Sequence, residues 1–335
     1  MTAPADTAPV GTASASTVLA STVLASTVLA STALASTVPT GGLKPVGAHL
    51  ADIAATIRPL APRPMTLDEA DNAVLADDIP PLPAGAPLGP AELGMLAAAG
   101  HRIVLARPCP RVTVLSAGNE FVQPGRAVLP GQIWESNSFM LAAAARRLGC
   151  TVRRYPLARD DESEVRAAIE TAFPQADLLV TSGGISMGGE HDVFKAALQS
   201  LDDIRFARVA MQPGMPQGFG TVGEPPTPIL LLPGNPASAF VSFCLYAGPA
   251  VRALRGLDPL TRPAVSAVLR APVRSRAGKA SFVAGSFDPA TRAVTPLGKS
   301  SHQLTALARA NVLIVVPPPV TELGPGDLVE LLELP

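Results

Sequence analysis

Aromatic side chains are scarce, at 4% of 335 residues with one Trp and two Tyr. A core is still available, because 47% of the chain is apolar. It is expected to consist mainly of Ala, Val and Leu, and the length suits about two or three domains. Cysteine is sparse too. Cys109, Cys150 and Cys244 are odd in number, far apart and without a Cys-x-x-Cys pair. Neither a disulfide framework nor a zinc site is indicated, and a reducing cytoplasmic setting fits. The four histidines are scattered and form no metal cluster; His191, beside a glycine-rich loop, reads as an exposed side chain. The formal net charge is −1 with no basic run, so nucleic acid is not an expected partner.

Long apolar runs are missing from the first 43 residues. Ser-Thr-Val-Leu-Ala recurs at 16–20, 21–25 and 26–30, followed by Ser-Thr-Ala-Leu-Ala at 31–35. A period of five matches neither the helix nor the strand repeat. The first basic residue is Lys44, and the Ser-Thr pairs interrupt every apolar span. Neither a signal peptide nor a membrane helix is expected. The segment reads as a disordered or weakly structured tail, with aggregation through its Val and Leu as the alternative.

The most informative stretch is 176–192. Leu178, Leu179 and Val180 form a short apolar run that stops at Thr181, Ser182, Gly183 and Gly184. A buried parallel strand entering a ligand-facing loop has this pattern. The glycine pair admits backbone N–H groups close to a ligand, and Thr181, Ser182 and Ser186 add hydroxyls, which suits an anion such as phosphate. Alone, Ser-Gly-Gly would be an ordinary strand-to-helix turn. It is not alone: apolar residues 229–232 run into Pro233, Gly234, Asn235, Pro236, Ala237 and Ser238. A third loop, Ser116-Ala117-Gly118-Asn119-Glu120, follows the strand 112–115. Loops of this kind lie at the carboxyl ends of parallel strands, where open α/β sheets bind ligands.

Other elements follow from periodicity. Val46, Leu50, Ile53 and Ile57 are at helical spacing, ended by Pro59, Pro62 and Pro64. Thr66 and Glu69 have capping-box spacing and predict a second helix. A strand is expected over 151–157, and helices over 136–148 and 162–173. Asn137 reads equally as a helix cap and as a ligand contact. Asp160 and Asp161 read as helix-capping acids or as Mg²⁺ ligands. The tail 262–335 is Val-rich with little helical period; 312–316 and 328–332 are strand-like and 324–327 is a turn.

Ser-Gly-Gly-Ile-Ser (182–186), Leu-Pro-Gly-Asn-Pro-Ala-Ser-Ala (232–239) and Pro-Gly-Gln-Ile-Trp-Glu-Ser-Asn (130–137) resemble the molybdopterin-binding domain of molybdenum cofactor biosynthesis proteins. Within that superfamily the chain resembles the molybdopterin molybdenumtransferases. The resemblance implies an α/β fold: a doubly wound molybdopterin-binding domain at 109–256, a small C-terminal β-barrel domain at 262–335, and a shortened linker domain at 44–108. It also implies a homodimer with shared sites, a molybdopterin adenylyltransferase as a partner, and no membrane. The implied reaction inserts molybdate into adenylylated molybdopterin with release of AMP and with Mg²⁺. Glu120 and Asp160 would handle Mg²⁺ and phosphate, with Asp192 a third candidate ligand. Ser182, Gly183, Gly184 and Ser186 would hold the pterin phosphate. Pro233, Gly234, Asn235, Pro236 and Ser238, with Gly118, Asn119 and Asn137, would complete the pocket. Lys299 and Ser301 lie in a phrase that also matches; they could reach an anion, but read first as a surface loop.

The sequence departs from the family pattern in four places. Residues 80–86 lead almost at once into 88–100, where the family carries a long segment with a separate second domain. Asn119 replaces the usual Asp of a Gly-Asp-Glu loop. Gln212 and Met215 stand where lysines are expected, leaving Arg208 as the positive charge of that phrase. The stretch 187–192 is one residue longer than usual, which shifts Asp192. These departures give a second reading, a non-catalytic molybdopterin carrier or regulator. A third, molybdopterin adenylyltransferase, is opposed by the C-terminal β-domain and by the phrase 67–79.

Overall fold

The computed structural model of the chain describes residues 42–155, 161–185, 193–198, 203–261, 263–298 and 304–335. Helix α1 (Val46–Thr56) buries Val46, Leu50 and Ile53 on one face, as their spacing requires. Ile57 ends it in extended backbone, and the prolines beyond cannot donate to another turn. Strands β1 (Arg63–Thr66) and β2 (Val74–Leu75), helix α2 (Pro90–Ala98) and strand β3 (Ile103–Arg107) follow. They form an antiparallel sheet ordered β1-β3-β2, with its own core of Met65, Leu75, Leu88, Leu96 and Val104.

The helix expected from Thr66 does not form, although its capping bonds do. Thr66 N donates to Glu69 Oε2 at 2.9 Å, and Glu69 N to Thr66 Oγ1 at 3.4 Å. Residues 67–72 are turns. Asn72, at φ 60°, takes the left-handed conformation that stops the coil and sends the chain into β2. Beyond β2 the chain closes on itself. Ile79 and Leu82 exchange backbone hydrogen bonds at 2.9 and 2.7 Å, and Leu88 N donates to Ala73 O at 2.9 Å.

The central domain runs through β4 (Arg111–Ser116), β5 (Phe121–Val122), β6 (Ile133–Trp134), α3 (Asn137–Arg147), β7 (Thr151–Arg154), α4 (Glu162–Ala172), β8 (Leu178–Ser182) and α5 (Val193–Leu198). It continues with β9 (Arg205–Arg208), β10 (Met211–Gln212), β11 (Pro216–Val222), β12 (Thr227–Leu232) and helix α6 (Pro236–Leu254), which holds one π-helical turn at Phe243–Ala247. The six-stranded sheet is ordered β7-β4-β8-β12-β11-β9. Its first four strands are parallel, β11 runs antiparallel to β12, and β9 is antiparallel to β11 and so runs with the first four. Because strand side chains alternate, Leu178, Val180, Leu230 and Leu232 join α1, α3 and α6 in one core. Leu179, Ile229 and Leu231 join α4 and α5 in the other. The sheet is doubly wound: the chain leaves β4 for β7 on one side and returns to β8 on the other, which opens a crevice at the carboxyl ends of β4 and β8. Strand β7 is described to Arg154, short of the expected 157, and Asp161 caps α4 by accepting from Glu164 N at 3.0 Å.

Helix α6 is long and apolar enough to cross a membrane, but 78% of its apolar window is buried, so its composition is that of a core helix. Four of the scarce aromatics, Phe194, Phe219, Phe243 and Tyr246, are among the largest fully buried side chains, all in the central domain. The C-terminal region comprises β13 (Val265–Leu269), β14 (Val273–Arg274), β15 (Ala280–Asp288), β16 (Ala293–Pro296), α7 (Leu304–Arg309), β17 (Val312–Val316), β18 (Glu322–Leu323) and β19 (Leu328–Glu333). Strands β15-β16-β13-β19-β17 close into a barrel through the β15–β17 pairing. β10 adds to β15 in parallel and joins barrel to central domain. The short α7 is a helix that the weak periodicity did not announce.

Candidate functional site

The three small-residue loops meet at the carboxyl edge of the sheet. The register aligns Ser116 with Ser182 and Leu232 with Ser182, so the loops after β4, β8 and β12 start side by side. Their backbones are in near contact. A Cβ on Gly183, at φ +98°, would sit 3.1 Å from Ala117 O, and one on Gly234 would sit 3.2 Å from Gly183 Cα. Both contacts would be tighter than ordinary van der Waals contact, and Gly183 also takes a left-handed φ that disfavours a side chain.

Asn137 links them. Its Nδ2 donates to Ser182 Oγ at 2.8 Å and to Gly234 O at 2.7 Å. Ser182 Oγ donates onward to Pro233 O at 3.1 Å. Asn137 is therefore a cross-brace and not the cap of α3; Ser136 holds the N-cap position without a side-chain bond. Asn235 does cap: its Oδ1 accepts from Ser238 N at 3.2 Å and Ser238 Oγ at 3.3 Å, and Pro236 follows at the first helical position of α6. The loop thus delivers the N-terminus of a long helix to the site, a favourable place for an anion. Gly184 O accepts from Lys195 N at 3.1 Å. Gly118 is packed against Glu120 and Phe121, while Asn119 and Glu120 are exposed at the rim. Asp160, Ser186, His191, Asp192, Lys299 and Ser301 lie outside the described residues, as does the repetitive segment 1–41.

Two residues, Glu135 and Lys279, carry no individual signal in the sequence. Glu135 is 1% exposed and accepts from Ser116 Oγ at 3.2 Å, Ser138 N at 2.7 Å and Ser138 Oγ at 2.6 Å. The second concerns charge. Met215 precedes β11 at the same edge, since Gly218 pairs with Leu231 of β12. Arg208 Nη2 and Lys279 Nζ both lie 3.8 Å from Met215 Sδ. Lys279, brought over by the barrel, supplies a cation beside a loop position that lacks one. The spacing of 64 residues carries no local signal.

The remaining chemistry is quiet. All three cysteines are free, and burial pushes the Cys150 and Cys244 thiols up to about 12, so both stay protonated at neutral pH. Among the described residues no group of three His, Cys, Asp or Glu is placed to hold a metal ion.

This arrangement has known relatives. The probable molybdopterin binding domain family matches residues 113–253, and the MoeA C-terminal region (domain IV) matches residues 266–334. Molybdopterin molybdenumtransferase 2 of Mycobacterium tuberculosis H37Rv is 42% identical over 252 residues, covering 73% of this chain and 62% of that protein. Molybdopterin molybdenumtransferase 1 of the same strain is 35% identical over 267 residues, covering 76% of this chain and 62% of that protein. The chain thus spans 62% of the length of both relatives. The crystal structure of a molybdopterin biosynthesis MoeA protein from Pyrococcus horikoshii superposes with a TM-score of 0.64 at 30% identity, covering 74% of this chain and 60% of that one. With both domains matched and the loops assembled as described, the chain carries a molybdopterin-binding domain and a MoeA C-terminal domain IV and is similar to the molybdopterin molybdenumtransferases over 62% of their length.

Proposed function

We propose that this chain acts in molybdenum cofactor biosynthesis by inserting molybdate into adenylylated molybdopterin with release of AMP. The observation that carries the reading is the convergence of the three loops, cross-braced by Asn137 between Ser182 Oγ and Gly234 O. Ser182, Gly183 and Gly184, with Ser186, hold the pterin phosphate. Gly234, Asn235 and Ser238 present the N-terminus of α6 to the pterin or the nucleotide. Arg208 and Lys279 offer positive charge to an oxyanion. The reactive atoms belong to the substrate, whose dithiolene sulfurs replace molybdate oxygens, and the protein contributes placement and charge compensation.

Mg²⁺ fits less well. Glu120 is an exposed carboxylate oxygen source at the rim, and Asp160 and Asp192 remain candidates outside the described residues. The described residues alone do not build a Mg²⁺ site, so no step is assigned to the metal. We place the chain in the cytoplasm, as a homodimer that receives its substrate from a molybdopterin adenylyltransferase.

The carrier reading draws on the closed connection 79–88 and on Asn119. The two readings separate in one assay. Incubation with adenylylated molybdopterin, molybdate and Mg²⁺ should release AMP and yield the molybdenum cofactor. Tight binding without AMP release would leave the carrier; absence of both would end the proposal.

A further inference from the structure

We infer that Glu135 is a positioning residue of the three-loop site, acting through Asn137; the inference rests on the function proposed above. Glu135 sits between exposed Trp134 and partly buried Ser136, yet is itself 1% exposed. Among the described residues no cation pairs with it. Its partners are three neutral donors: Ser116 Oγ, Ser138 N and Ser138 Oγ. A buried carboxyl group is costly unless hydrogen-bonded, and a negative group beneath loops that receive an anion does not favour that anion. Its geometry gives the reason for its presence. Ser138 N belongs to the first turn of α3, and Glu135 satisfies this otherwise unpaired donor. Ser116 is the last residue of β4. Glu135 therefore fixes the start of α3 to the end of β4, while Asn137, at the first position of α3, fixes it to the loops after β8 and β12. Both amide hydrogens of Asn137 are used, so its side chain has a single productive orientation, set by the turn that Glu135 holds.

The role is geometric, so the uncharged isostere should serve. Gln at 135 can accept from Ser138 N and Ser116 Oγ and donate to Ser138 Oγ. The experiment measures binding of adenylylated molybdopterin to the full chain by calorimetry, with circular dichroism as a check of folding. Glu135→Gln is expected to bind within about threefold of the unchanged chain, and Glu135→Ala about tenfold more weakly. Asn137→Ala is also expected to lose about tenfold, and Glu135→Ala with Asn137→Ala no more than Asn137→Ala alone, because coupled residues are not additive. A merely structural role would give losses that multiply. If Glu135→Ala does not fold, Ser116→Ala tests the same link and should lose roughly threefold, again with no further loss in the Asn137→Ala background. Multiplying losses, or unchanged binding in both Glu135→Ala and Ser116→Ala, overturn the inference while leaving the proposed function standing. No binding by the unchanged chain overturns both.

Discussion

His49 gives the sharpest test of how α1 is held. It is completely buried, and neither ring nitrogen has a hydrogen-bond partner. Its ring meets Phe219 edge-on at 5.3 Å and Tyr246 at 4.9 Å. Burial is the main reason its pKa falls from 6.5 to about 3; Lys44 pushes the same way and Asp52 opposes. The folded state therefore keeps a neutral imidazole where the unfolded chain binds a proton. Stability from this site is full above about pH 6.5 and declines as pH falls toward about 3, because the unfolded state takes up the extra proton. One pKa unit corresponds to about 1.4 kcal/mol. At about pH 5 the loss is about 2 kcal/mol, rising to about 4 kcal/mol at the folded value. His49→Phe keeps an aromatic edge against Phe219 and Tyr246 and removes the titration. Urea unfolding at about pH 7.5 and about pH 5 should show the unchanged chain losing about 2 kcal/mol more than the variant. Other titrating groups cancel in that difference. Equal losses in the two proteins would refute the reasoning.

Other consequences are as direct. Gly183→Ala places a Cβ at φ +98° and 3.1 Å from Ala117 O; it should cost about 1–3 kcal/mol in thermal unfolding and weaken substrate binding, since the strain falls between two loops of the site. Ile53→Ala empties a position 1% exposed on α1 and should cost about 2–5 kcal/mol by urea titration. Lys279→Ala should weaken molybdate binding roughly threefold at low ionic strength, with the difference shrinking as salt is added. Cys150 and Cys244, buried and held as neutral thiols, should resist alkylation at neutral pH until the chain unfolds, as followed by mass spectrometry.

Local pattern was enough to find the loops, because an apolar strand followed by glycines and small hydroxyl residues is written in consecutive residues. It also located α1, whose buried face follows from four spaced apolar positions. It failed where distant segments decide the outcome. Thr66 and Glu69 make their capping bonds, but the left-handed Asn72 and the pairing of β2 with β3 leave room for turns only. Glu135 stands beside an exposed tryptophan, and nothing in its neighbours announces its burial, which comes from the joining of α3 to the end of β4, a relation between Ser116 and Ser138. Lys279 reaches Met215 because β10 pairs with β15. Arg208 was read as the positive charge left in a loop without its lysines, yet it shares that loop with a cation from the barrel. The placement of Lys279 beside Met215 is thus set by the docking of one domain on another. A substitution that loosens the β10–β15 pairing should therefore weaken oxyanion binding without touching any loop residue, and a loop substitution should leave that pairing intact.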